Sequence, residues 1–377
     1  MPASDVVVVG AGAIGTAVAW RCAQRGLAVT MVDPQPTRGA WHTAAGMLAP
    51  ITELQYTETP LLRLGLDSLA RYRDFAAEVS AESGRSVGFR ECGTVLAAWD
   101  GADLAALRDL HAFATRVGVA AEMLTGRELR RLEPALAPGL PGAMHAPGDH
   151  QIDPRLLHAA LLEAGRRRGV RLVGSSAAVV AEDDRVRGVR LEDGTVVRAE
   201  QVVLAAGCWS GQVAGLPPGT AAPIRPVKGQ TLRLRLPGRP RLTRTVRGWV
   251  KGVPIYLVPR ADGEIVVGAS VEERGFDDEP RAGAVYELLR DAQSLVPELG
   301  EAVLGEVCTG LRPGSPDNAP LIGAGPIDGL VLATGHHRNG ILLAPVTADA
   351  VAALIVDDRL PDEVAPFVPE RFAQAAR

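Results

Sequence analysis

The sequence predicts an α/β chain in which a parallel-sheet nucleotide-binding domain is interleaved with a second domain built mainly on an antiparallel sheet. Three observations carry this. Residues 6–9 are four successive valines that run straight into the glycine string Gly10-Ala11-Gly12-Ala13-Ile14-Gly15, as a strand buried on both faces of a parallel sheet does. The middle of the chain alternates in strand-like fashion. The last 50 or so residues return to a strand, loop and helix pattern.

Taken in order, residues 13–25 read as a helix closed by Gly26, and 28–32 as a second apolar strand ending at Asp33, which completes a βαβ unit. Residues 60–82 and 102–117 carry apolar positions at helical spacing with arginines opposite, the pattern of amphipathic surface helices. Residues 87–99 and 142–146 read as strands around them. Asp153-Pro154 is a helix start, a side-chain cap followed by proline in the first turn. Arg166, Arg167 and Arg168 end that helix before Gly169, where cations offset the negative end of the helix dipole. A strand at 170–173, a hairpin through Asp193-Gly194 and a strand at 201–205 running into Ala206-Gly207 rejoin the first sheet. Strands at 230–236, 255–258 and 264–269 make the antiparallel sheet, with a Pro/Arg-rich surface loop at 236–241. The close is a strand at 330–333, a loop at 334–340 and a helix at 341–356. Residues 1–86, 147–222 and 306–377 thus form one domain, and 87–146 with 223–305 the other.

Composition narrows the partners. Charged residues make up 22% and the net charge is only −4, which points away from nucleic acid and from a polybasic membrane anchor. No stretch approaches the roughly 20 apolar residues of a membrane span. Cys22, Cys92, Cys208 and Cys308 lie far apart with no CxxC pair, so they read as reduced thiols of a cytoplasmic protein. No targeting segment is evident, since Asp5 precedes the apolar run and no basic n-region exists.

The glycine string meets the conditions of a Rossmann-type fingerprint: a strand before, a helix after, and an acidic residue 21 positions beyond Gly12. Gly10 allows the tight turn, Gly12 lets the backbone approach a pyrophosphate, and Gly15 lets helix and strand pack closely. The N–H groups at Ala13 and Ile14 open the helix toward the phosphates. Asp33, followed by Pro34, can hold both ribose hydroxyls, which disfavours a 2′-phosphate. The same fingerprint serves NAD and FAD.

The rest of the chain resembles the D-amino-acid oxidase family of FAD-dependent oxidoreductases, in its glycine-oxidase branch. The carriers are GAGAIG at 10–15, T-A-A-G-M at 43–47, V-V-L-A-A-G-C-W at 202–209, Y-L-V-P-R at 256–260, G-L-R-P-G at 310–314 and G-H-H-R-N-G-I-L-L-A-P at 335–345. This resemblance implies FAD held noncovalently, because no cysteine lies in the C-terminal flavin loop. It implies flavin contacts from Thr43, Ala44, Ala45, Gly46 and Met47, from Ala206, Gly207 and Trp209, and from His336, Arg338, Asn339, Gly340, Ile341 and Leu342. Val179 is the implied backbone contact on the adenine side. A helix N-terminus near the flavin pyrimidine would stabilise negative charge there.

For the substrate, the resemblance implies a small amino acid whose carboxylate Arg312 grips, with the Tyr256 hydroxyl as a second donor and Arg338 close by. A guanidinium can hold a carboxylate by two parallel hydrogen bonds. The implied reaction takes hydride from Cα to the flavin N5 with no side chain in a catalytic role. The imino acid then hydrolyses to an oxoacid and ammonia, and dioxygen is reduced to hydrogen peroxide. Glycine is the implied substrate, the thiazole of thiamine the implied destination, and a homotetramer the implied assembly. Sarcosine, a D-amino acid or a different electron acceptor remain open. At Ser270-Val271 a close relative carries a larger methionine second, so by that resemblance Val271 implies a wider pocket. His336 and His337 are adjacent and lack a spaced carboxylate partner, so no metal is expected.

Overall fold

The computed structural model describes residues 3–217, 222–236 and 242–372. Two eight-stranded sheets organise it. In the first, the order across the sheet is Leu321–Ala324, Leu330–Thr334, Val196–Leu204, Ser4–Val9, Val29–Val32 and Arg171–Val173, with a hairpin of Ala177–Glu182 and Arg185–Leu191 paired onto the long third strand. All neighbours in that path are parallel except the outermost pair, Leu321–Ala324 with Leu330–Thr334. The valines at 6–9 are buried on both faces. Helix Ala13–Gln24 packs on this sheet with helices Pro154–Arg167 and Ala344–Asp357.

The second sheet runs Val303–Gly314, Arg225–Arg235, Glu264–Gly268, Val253–Pro259, Thr245–Val250, Thr94–Ala98, Gly142–Ala146 and Glu122–Thr125. Only the pair Thr245–Val250 with Thr94–Ala98 is parallel. Its outer face is covered by helix Ala282–Leu295, whose Leu288, Ala292 and Leu295 are buried in a separate apolar cluster. Strand Val303–Gly314 belongs entirely to this sheet, so the second sheet extends past residue 306 to Gly314.

Most expected elements occupy their expected places, and the differences have local causes. Residues 87–99 yield only the strand Thr94–Ala98, because Gly88 and Gly93 take positive φ of 68° and 72° and break the extended run. The last helix starts at Ala344 instead of Ile341. A tight turn at His337–Asn339 occupies the preceding residues, and Pro345 lies in the helix's first turn, the position proline favours. Asp153 caps its helix as expected, accepting from the N–H of Arg155 and Leu156. The basic triplet is spent on ion pairs: Arg166 and Arg167 with Glu163, and Arg168 with Glu82. The surface loop expected at 236–241 lies, beyond Leu236, outside the described residues. Among the described residues no helix is long and apolar enough to cross a membrane.

Candidate cofactor and substrate site

The loop after Ser4–Val9 is built for close approach. Gly10 has φ 105°, and a Cβ there would lie 2.4 Å from the Ala205 carbonyl oxygen. Gly15 packs its helix against the loop, since a Cβ would stand 2.0 Å from the oxygen of Gly10. Gly12 differs from both. Its φ is −73° and the nearest heavy atom to an added Cβ is Trp41 Cδ1 at 3.8 Å. The protein itself therefore leaves room for a side chain at 12, and what such a side chain would fill is the cavity beside it. The following helix has no side-chain cap, so its first N–H groups remain available for a phosphate. Asp33 is locked to the loop: Ala11 N donates to Oδ2 at 2.7 Å and Gln35 N to Oδ1 at 2.7 Å.

The cavity measures about 670 Å³ and runs between the two sheets. At the nucleotide end, Gly10, Gly12, Ala13, Ile14, Asp33 and Pro34 line it. Thr43, Ala44, Ala45, Gly46 and Met47 form one wall, and Ala206, Gly207 and Trp209 another. The wall at 43–47 is pinned by residues of the second sheet. Thr43 Oγ1 donates to Thr309 O at 2.7 Å, Thr231 Oγ1 to Thr43 O at 3.0 Å, and Arg260 Nη2 to Ala45 O at 2.5 Å. Gly46, at φ 74°, would place a Cβ 2.0 Å from Ile152 O. His336, Arg338, Gly340 and Ile341 close the far side. This glycine cradle, with its carboxylate anchor and long narrow space, fits FAD.

Four expected contacts are not among the lining residues. Gly15 serves packing. Val179 gives its N–H to Ala214 O at 2.8 Å, and Ser176 and Ala177 of the same segment line the cavity instead. Asn339 and Leu342 turn to a small separate cavity near Glu58, and the Leu342 carbonyl accepts from Ser68 Oγ at 2.6 Å. Val271 is 72% exposed and does not line the cavity, so it does not widen the pocket. Trp41, Glu53 and Gly229 line it without having been expected, and His337 lines it beside His336.

The substrate end is set by sheet register. Strand Arg225–Arg235 lies between Val303–Gly314 and Glu264–Gly268. Arg312 is opposite Val227, and its guanidinium extends over Gly229, where a Cβ would stand 2.3 Å from Nη1. Tyr256 is opposite Gly268 and likewise lies across it, with Oη 2.3 Å from where a Cβ would be. Two glycines on neighbouring strands thus make room for the two donors. Arg312 Nη1 donates to Lys228 O at 3.3 Å and Ser270 O at 3.2 Å. No carboxylate of the described residues pairs with it. Burial pushes the Tyr256 phenol up to about 12, so it stays a hydrogen-bond donor.

Arg338 is placed differently. Its Nη2 donates to Glu58 Oε2 at 2.5 Å, and Nε lies 3.8 Å from Glu53 Oε2. His336 is buried and bonds through Nε2 with Thr347 Oγ1 at 3.0 Å. Burial lowers it and the neighbouring His337 to about 3, the latter helped by Arg312, Arg338 and Arg225, so both imidazoles are neutral.

The chain matches the DAO family, FAD dependent oxidoreductase, over residues 5–354. It is 34% identical over 373 residues to the bifunctional protein ThiO/ThiG of Synechocystis, covering 98% of this chain and 54% of that one. The chain therefore spans about half the length of the first curated relatives it matches. It is 34% identical to the glycine oxidase of Geobacillus kaustophilus, over 96% of both chains. The crystal structure of that enzyme superposes with a TM-score of 0.91 at 32% identity, covering 98% of this chain and 99% of the other. Iminodiacetate oxidase from Chelativorans superposes with a TM-score of 0.88 at 26% identity, over 97% and 98%.

Proposed function

The chain belongs to the family of FAD-dependent oxidoreductases, and from that premise we propose that it oxidises the amine carbon of a small amino acid, glycine first, with dioxygen as acceptor. One observation carries the reading. Arg312 is a cation on the cavity wall whose carboxylate partner is absent among the described residues, and a neighbouring glycine has been left bare to admit it. A substrate carboxylate completes that pairing. Tyr256, held protonated by burial, supplies a further donor from the adjacent part of the sheet.

When bound, FAD supplies the acceptor for the hydride leaving the substrate's Cα and passes the electron pair on to dioxygen. The protein's part is positional. Arg312 and Tyr256 fix one end of the substrate, which limits how Cα can lie in the cavity. The neutral His336 and His337 add no positive charge. No side chain is assigned a base's role at Cα, because the hydrogen there leaves as hydride. The relative named glycine oxidase supports glycine as substrate, and the thiazole of thiamine remains the destination that the family resemblance implies. Arg338 is not assigned the carboxylate, because Glu58 already holds it.

The test is peroxide release from the purified flavoprotein supplied with glycine, sarcosine, D-alanine and D-proline. Glycine giving the highest kcat/KM supports the reading, and no peroxide from any of the four contradicts it.

A further inference from the structure

We propose that Glu53 is a specificity-determining residue of this cavity, whose carboxylate restricts the substrate to one negative charge, so that the site takes monocarboxylate amino acids and disfavours iminodicarboxylates. The inference rests on the amino-acid reading above. The balance of charge at the substrate end carries it.

Three guanidinium groups gather there. Arg312 and Arg338 line the cavity, and Arg247 stands behind Glu53 with Nη2 at 3.6 Å from Oε1. Arg338 is matched by Glu58 at 2.5 Å and by Glu53 at 3.8 Å. Among the described residues Glu53 is the only carboxylate that pairs with Arg247, whose Nη1 donates to the Thr52 carbonyl. Glu53 and Glu58 thus answer Arg247 and Arg338, and Arg312 is left for the substrate. One positive charge in excess suits one carboxylate.

Glu53 also presents unused acceptor capacity to the cavity. It makes ion pairs at 3.6 and 3.8 Å, and among the described residues no side chain donates a hydrogen bond to it. A substrate amine can satisfy those oxygens. A second carboxylate would face them and be repelled.

The position of Glu53 is fixed from beneath. Asp149, fully buried, accepts from Ile51 N at 3.1 Å, Thr52 N at 2.8 Å and Thr52 Oγ1 at 2.7 Å. The Glu53 N–H is bonded to Ala49 O at 3.0 Å. The segment therefore holds its carboxylate at the wall.

The experiment titrates FAD-loaded protein with glycolate and with iminodiacetate, reading the perturbation of the flavin absorption band. Wild type is compared with Glu53→Gln, Glu53→Ala and Glu53→Asp. In wild type glycolate should bind at least about tenfold more tightly than iminodiacetate. Glu53→Gln and Glu53→Ala should bring that ratio to about one or invert it, while Glu53→Asp keeps the wild-type preference. An unchanged ratio in both neutral variants overturns the proposal. If glycolate leaves the wild-type spectrum unmoved, the carboxylate reading of Arg312 is what fails.

Discussion

The guanidinium of Arg312 extends over Gly229, so that a single methyl group at 229 would overlap Nη1, Nη2 and Cζ at 2.3, 2.4 and 2.5 Å. The clash is with the far end of a flexible side chain and not with backbone. Gly229→Ala should therefore displace the arginine while the sheet persists. The KM for glycine is expected to rise at least about tenfold with a Tm change of only a few degrees. A normal KM would mean that Arg312 does not act from this position.

Arg312 and Arg338 separate by partner. Arg312→Ala removes the cation at the substrate end that no described carboxylate matches, and its KM for glycine should rise about 100-fold, ~3 kcal/mol. Arg338→Ala removes a side chain already committed to Glu58 and Glu53, and should cost less than about tenfold. Steady-state kinetics of the two variants check the order, and the reverse order would reassign the carboxylate.

The two loop glycines should fail in different ways. Gly12→Ala fits the protein, whose nearest atom is 3.8 Å away, yet puts a methyl group in the cradle. FAD affinity should fall at least about tenfold while the flavin-free melting temperature shifts by no more than about 2 °C. Gly10→Ala meets a backbone oxygen at 2.4 Å and a φ of 105°, so it should lose stability as well as flavin. Fluorescence titration with FAD and thermal melts distinguish them.

Asp149 sets a pH dependence. Burial pushes its carboxyl up to about 7, against the lowering effect of the Thr52 hydrogen bonds. The unfolded chain loses that proton near pH 4. Between about pH 4 and 7 the native state thus holds a proton the unfolded state has released, and stability falls as pH rises across that window. Asp149→Asn should gain on wild type by up to about 4 kcal/mol between pH 4 and pH 8 in denaturant melts. Parallel stability curves for the two proteins would remove Asp149 from this role.

The nucleotide end was legible because its signals are local. A buried strand, three glycines and Asp33 fall within 28 residues, and backbone φ and close packing explain Gly10 and Gly15 where they stand. The substrate end was legible only through resemblance. Tyr256 and Arg312 lie 56 residues apart on strands separated by two others, and no periodicity foretells that Arg225–Arg235 and Glu264–Gly268 come between them. Gly229 and Gly268 look like weak points of their strands until the side chains crossing them are seen. Glu53 and Trp41 carry no motif, since their place depends on a turn held by the distant Asp149 and a short helix held to the second sheet at Thr309. Helix Gly126–Leu132 was not anticipated from the sequence, although its capping box Thr125–Glu128 is the signal that would have found it. The start of the last helix was misplaced because apolar Ile341, Leu342 and Leu343 continue the helical pattern backwards, whereas Pro345 marks the first turn.

The most direct test of the account is the absorption spectrum of the purified protein mixed anaerobically with glycine. A yellow protein whose flavin band bleaches on glycine, and bleaches far less in Arg312→Ala at the same concentration, is the predicted result. A flavin band that stays unchanged with glycine, sarcosine, D-alanine and D-proline alike would contradict it.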